Sequence, residues 1–214
     1  MKKIIKKVKP LVPKKILGYV RTKVEAKQLK EWKELDCPNP PPHIVKQLAI
    51  KEYQAEYQYN ILIETGTYLG QMIEAQKGIF KQVFSIELSQ DLFEKAQKRF
   101  KNDSNVTIVQ GDSGKVMGKV LEKISEPAIF WLDGHYSSGV TAKGDTDCPI
   151  FGELSAIFNA TKLNHIFLID DARFFNGEGD YPTIEELSEF IKKYNSNYKL
   201  EVKHDILRYT PFID

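Results

Sequence analysis

The chain has 214 residues, 42% hydrophobic, 28% charged and 11% aromatic, with 31 Lys+Arg against 29 Asp+Glu and a formal net charge of +2. That composition excludes a fully disordered or collagen-like chain and supplies enough residues for one buried core. A near-neutral total also argues against a dedicated nucleic-acid binder, because neutralising phosphates calls for a marked basic excess.

Charge is unevenly spread. Residues 1–33 hold twelve Lys/Arg and two acids, a net of +10, which leaves 19 basic and 27 acidic residues beyond them, a net of −8. Apolar residues in the basic arm, among them Ile4, Val8, Leu11, Ile16, Val20 and Val24, recur near helical spacing, interrupted by Pro10 and Pro13. A basic amphipathic helix starting near Pro13 suits an anionic membrane surface, each near-surface Lys or Arg contributing about 1 kcal/mol. A solvated tail, or a helix packed on its own domain or on a partner, is the competing reading. Pro38-Asn39-Pro40-Pro41-Pro42 then forms a stiff connector, so residues 1–42 are read as arm and linker and 43–214 as the folded domain. Cys37 and Cys148 belong to no C-x-x-C pair, the apolar runs are too short to span a membrane, and lysines interrupt any signal-like segment. The expectation is a cytoplasmic protein, peripheral at the inner membrane face if the arm binds lipid.

From residue 43 the hydrophobic period alternates. Helices are predicted at 43–59, 69–77, 90–100, 114–124, 149–160 and 183–194, and strands at 61–64, 83–86, 106–110, 128–132 and 165–169. Residues 199–203 and 206–210, separated by His204-Asp205, read as a β-hairpin. Alternating β and α units with short apolar strands predict a doubly wound α/β fold. Its sheet is seven-stranded, Rossmann-like and mostly parallel, with an antiparallel hairpin at the end.

Ligands of such sheets bind at the carboxyl ends of the strands. There the sequence places Glu64-Thr65-Gly66-Thr67-Tyr68-Leu69-Gly70, then Glu87, Asp112-Ser113, Asp133-Gly134-His135 and Asp170-Asp171. All five ends are acidic. A glycine turn before a helix allows close approach of a ligand, yet Glu64 would repel the pyrophosphate of a nicotinamide cofactor, so a cationic ligand fits better. Glu87, about 20 residues on, can accept hydrogen bonds from ribose hydroxyls.

On these residues the domain resembles the class I S-adenosylmethionine-dependent methyltransferases. The resemblance implies that Glu64, Thr65 and the turn from Gly66 through Tyr68 to Gly70 hold the methionine moiety, Glu87 the ribose, and Asp112 and Ser113 the adenine edge, with Asp133 beside the cofactor. Tyr68 stands where the common pattern has a glycine. Asp133, Asp170 and Asp171 together resemble the metal site of catechol-type and macrolide-sugar O-methyltransferases, which implies Mg²⁺, a hard cation suited to carboxylates. Such a metal would activate an acceptor hydroxyl, with His135 as general base. The polar loop from Tyr136 to Pro149 is long enough for a binding loop, and Tyr136, Lys143, Asp147 and, from the opposite wall, Arg173 are candidate contacts to a sugar or other hydroxyl-bearing acceptor. The expected activity is Mg²⁺-assisted O-methylation. The alternatives are a metal-independent enzyme in which His135 alone activates the acceptor, and a non-catalytic, membrane-associated scaffold.

Overall fold

The computed structural model describes the backbone of residues 14–134 and 148–212 and the side chains of 22–134 and 148–212. The candidates His135, Tyr136, Lys143 and Asp147 lie outside the described residues, as do residues 1–13 of the arm. Seven strands form one sheet: β1 Ile61–Thr65, β2 Gln82–Glu87, β3 Val106–Gln110, β4 Ala128–Leu132, β5 Ile166–Ile169, β6 Tyr198–Lys203 and β7 Ile206–Pro211. Their order is β3-β2-β1-β4-β5-β7-β6. The first five are parallel, and β7 runs antiparallel to both β5 and β6. The expected architecture is therefore present.

Alternation along each strand explains why both faces are covered. Ile61 and Ile63, with Phe130, Leu132, Phe167 and Ile169, point into one core, closed by Met117 and Val120 of α5 (Ser113–Leu121), Leu154 and Ile157 of α6 (Ile150–Ala160), and Leu187 and Ile191 of α7 (Ile184–Tyr194). Leu62, Ile129, Trp131 and Leu168 point the other way, onto Ile50 and Tyr53 of α2 (His43–Tyr57), Ile73 of α3 (Gln71–Gln76), and Ala96 and Phe100 of α4 (Gln90–Phe100). A strand buried on both faces cannot alternate polar and apolar, which is why these read as continuous apolar runs.

Element boundaries differ from expectation where local chemistry intervenes. The helix predicted at 43–59 stops at Tyr57, where Gln58 takes a left-handed conformation (φ 56°) and caps it. Strand β1 runs one residue further than predicted, so Thr65 as well as Glu64 lies within the strand. Thr183 precedes α7 as its cap, with the reciprocal Thr183–Glu186 capping box. At the hairpin, His204 and Asp205 both have positive φ (55° and 63°), the geometry that a two-residue turn of the primed type requires.

The end of the arm packs on the domain. Helix α1 (Lys14–Glu34) turns Glu25, Leu29 and Trp32, at helical spacing, away from solvent. Glu25 accepts a hydrogen bond from Gln47 of α2 at 3.2 Å. The Trp32 indole is buried, donates to the Pro38 carbonyl at 2.8 Å, and meets the His204 ring edge-on with centroids 4.9 Å apart. No described helix is long and apolar enough to cross a membrane.

Candidate functional site

Strand order reverses between β1 and β4, and a cleft opens beside the turns that follow them. Its wall includes Lys46, Glu64, Gly66, Tyr68, Trp131 and Asp133. Gly66 takes φ +84° and its backbone hugs the β4 turn so closely that a Cβ there would sit 2.3 Å from the Asp133 carbonyl oxygen. Only glycine fits. The Thr65 hydroxyl, fully buried, accepts from the Asp133 N–H at 3.2 Å and locks the two strand ends together. Gly70 (φ +69°) closes the turn against Phe100 at the start of α3.

Tyr68 also adopts positive φ (46°), so the conformation of the missing glycine is kept although the residue is not. Its backbone N–H donates to Glu87 Oε2 at 2.8 Å, while Glu87 Oε1 accepts from the Ser89 N–H at 2.8 Å. Each carboxylate oxygen retains acceptor capacity beyond these bonds. Glu64, 2% exposed, accepts from the Ser85 hydroxyl at 2.5 Å, and Ser85 in turn pairs with Thr67 at 2.6 Å. Burial, with the neighbouring Asp133 and Glu87 charges, pushes its carboxyl up to about 8 despite the Ser85 bond.

Asp112 and Ser113 stand at the head of α5. Asp112 Oδ1 accepts from the Gly114 N–H at 3.0 Å as a helix cap. Arg173 is engaged elsewhere too. Its guanidinium bridges Asp171, at 2.8 Å, and Asp205 of the hairpin turn, and lies over the Phe174 ring.

Two of the three carboxylates expected to hold a metal, Asp170 and Asp171, are met by a lysine. Lys46, in the first turns of α2, forms an ion pair and hydrogen bond with Asp170 Oδ2 and lies 3.7 Å from Asp171 Oδ1. Burial alone would lower the Lys46 pKa, but attraction to Asp170, Asp133 and Asp171 outweighs it and holds the ammonium above its ordinary value. Asp170 is 1% exposed and Asp171 is already bonded to Arg173. Among the described residues no group of three His, Cys, Asp or Glu is arranged to hold a metal. A Mg²⁺ ion, which wants open carboxylate oxygens and several waters, does not fit this donor set while Lys46 and Arg173 hold it, so the expected metal site is without support among the described residues.

Sequence reasoning did not single out Lys46 or His43, which α2 brings to the cleft from 15 and 18 residues before β1. Their i, i+3 spacing on a domain-facing helix was the one available signal. Glu153 of α6 is buried, with Oε1 2.9 Å from where a Cβ on Gly134 would stand.

Solved structures share this arrangement. The O-methyltransferase TomG of Streptomyces achromogenes, in complex with SAM, superposes with a TM-score of 0.56 at 12% identity, over 88% of this chain and 89% of that one. An O-methyltransferase from Bacillus cereus in complex with SAH gives 0.57 at 10%, over 87% and 90%. The SAH-bound methyltransferase PaMTH1 of Podospora anserina gives 0.54 at 13%, over 96% and 100%. The chain has the class I S-adenosylmethionine-dependent methyltransferase fold. No family model and no curated protein matches the sequence. In this fold the β1–β4 switch point is the place where the present chain has its acidic, glycine-lined cleft.

Proposed function

We propose that the domain of residues 43–214 is an S-adenosylmethionine-dependent O-methyltransferase acting on a hydroxyl of a sugar or similar small molecule. The observation that carries this reading is the cleft between the β1 and β4 ends, where Gly66 admits no side chain and Glu64 and Asp133 face the opening. The donor set fits a cationic, ribose-bearing ligand: the Asp133 carboxylate, and Glu64 once a bound positive charge draws off its proton, meet ammonium and sulfonium charge, and Glu87 at the β2 end has acceptor capacity left for ribose hydroxyls. When bound, S-adenosylmethionine supplies an electrophilic methyl group.

In this reading Glu64, Thr65 and the turn from Gly66 to Gly70 orient the methionine portion, and Asp112-Ser113 contribute at the adenine edge. His135, two residues beyond Asp133, takes the acceptor hydroxyl's proton as general base, as its ordinary pKa near neutrality suits. Tyr136, Lys143 and Asp147 contact the acceptor. Arg173, tied to Asp171 and Asp205, supports that wall. The Mg²⁺ assistance expected from the sequence is not part of the proposal, since Asp170 is paired with Lys46 and Asp171 with Arg173. The basic residues of the arm ahead of Thr22 attach the protein to anionic lipid, while Trp32 keeps the end of α1 on the domain.

Calorimetric titration with S-adenosylmethionine and S-adenosylhomocysteine tests the reading: one site per chain, lost in Gly66→Ala, is expected. No binding by the wild-type protein sinks it. Mass spectrometry of glycan, phenolic and RNA mixtures after incubation then identifies the acceptor, and a methylated RNA would overturn the small-molecule part.

A further inference from the structure

We propose that Lys46 is a built-in replacement for a divalent cation, closing the strand-end carboxylate site to metal and supplying positive charge beside the acceptor. The geometry carries this. Helix α2 is fixed to the sheet by Ala49, Ile50 and Tyr53, so the four-carbon stem of Lys46 is aimed at the β5 end and not free to swing into solvent. Its side chain is 17% exposed, and the Asp170 side chain it meets is fully buried. An ammonium bonded to Asp170 disfavours a dication on the same buried carboxylate, because the two cations repel in a poorly screened setting.

Removal of the ammonium would leave the buried Asp170 carboxylate without its counter-charge. Asp170 Oδ1 is buried with no hydrogen-bond partner among the described residues, Oδ2 would be released, and Asp171 and Asp133 lie within electrostatic reach of the same point. The lysine also does what a metal cannot. Of its three N–H donors, one is used by Asp170, and the group lines the cleft, so an N–H remains to meet an oxygen there. This part rests on the proposed methyl transfer. In it Lys46 moves no proton: the acceptor hydroxyl gives its proton to a base, its oxygen lone pair forms the bond to the methyl carbon, and the carbon–sulfur electron pair stays on sulfur. Lys46 is thus a positioning cation.

Metal binding reads out the proposal without any turnover assay. Full-length wild-type protein, titrated with Mn²⁺ and followed by electron paramagnetic resonance and calorimetry, is expected to show no site tighter than about 1 mM. Lys46→Met is expected to gain one Mn²⁺ site at least about tenfold tighter, and Lys46→Met/Asp170→Asn to lose it again. A wild-type Mn²⁺ site of micromolar affinity that Asp170→Asn abolishes overturns the proposal, and so does a folded Lys46→Met protein that gains nothing. Should Lys46→Met fail to fold, the wild-type titration alone decides. Failure to bind S-adenosylmethionine would remove the methyltransferase reading and leave the metal result standing, so the two are separable.

Discussion

The backbone N–H of Tyr68 and the carboxylate of Glu87 are joined by a 2.8 Å hydrogen bond across the β1 and β2 ends. It holds a non-glycine residue in the left-handed region, where an L side chain costs roughly 1 kcal/mol or more. Glu87 can do this because both of its oxygens accept, one from Tyr68 and one from Ser89. Glu87→Gln offers a single acceptor oxygen, so one of these N–H groups loses its partner. A loss of about 1–3 kcal/mol in urea unfolding is expected, together with weaker S-adenosylhomocysteine binding. Glu87→Asp, one methylene shorter, should lose the Tyr68 bond as well.

Two buried groups set opposite pH slopes. Burial holds Glu64 at about 8 against an ordinary 4.5, with help from Asp133 and Glu87, so between those values the folded chain carries a proton the unfolded chain has released. Stability therefore falls as pH rises through that window. Burial lowers His165 to about 4 from 6.5, so between 4 and 6.5 the unfolded chain binds the extra proton and stability rises with pH. The slopes cancel from 4.5 to 6.5. Above 6.5 only Glu64 acts, and a fall of about 2 kcal/mol by pH 8 is expected. Urea unfolding at pH 5.5, 6.5 and 8 checks this, and Glu64→Gln should flatten the upper limb.

Gly66 is where close approach leaves no alternative. Gly66→Ala must place its Cβ against the Asp133 carbonyl and hold φ near +84°, so the β1 and β4 ends have to separate. Strain and overpacking together should cost about 2–4 kcal/mol. Because the movement opens the cleft itself, S-adenosylhomocysteine affinity should fall by far more than stability implies. An affinity equal to the wild type's, measured by calorimetry, would mean that the turn does not touch the ligand.

The sheet was legible because its cause is local. Strands β3 and β4 and helix α4 begin and end where the sequence predicts, since apolar runs such as Ala128–Leu132 and the Ser89 cap ahead of α4 are short-range signals. The strand ends were legible by the same route, which is how Glu64, Glu87, Asp133 and the aspartate pair came together as candidates. Lys46 was not. Its partner Asp170 lies 124 residues away, and a lysine on an amphipathic helix carries no local mark of the charge it will meet. The metal expectation is left without support for the same reason: three acids in a row of strand ends imply a counter-charge, but sequence order does not say whether an ion or a side chain supplies it. Trp32 was passed over similarly, because its partners Pro38 and His204 become neighbours only when the chain folds back.

The docking of Trp32 separates two properties of the arm. Removing residues 1–33 would delete the basic cluster and the docked face of α1 together, so a loss of lipid binding after that truncation would be ambiguous. Trp32→Ala addresses packing alone. A buried tryptophan truncated in a core costs about 3–5 kcal/mol, but a terminal helix can detach before the sheet unfolds, which limits the global loss. Amide exchange across residues 22–36 should therefore quicken at least about tenfold, with exchange in β1, β4 and β5 unchanged. Charge is tested by replacing Lys2, Lys3, Lys6, Lys7 and Lys9 with Gln, which leaves Glu25 and Trp32 in place. Sedimentation with phosphatidylserine-containing vesicles should fall steeply in that variant and persist in Trp32→Ala, since each lost lysine removes about 1 kcal/mol of surface attraction. Equal sedimentation of wild type and the glutamine variant would leave the arm without a lipid role.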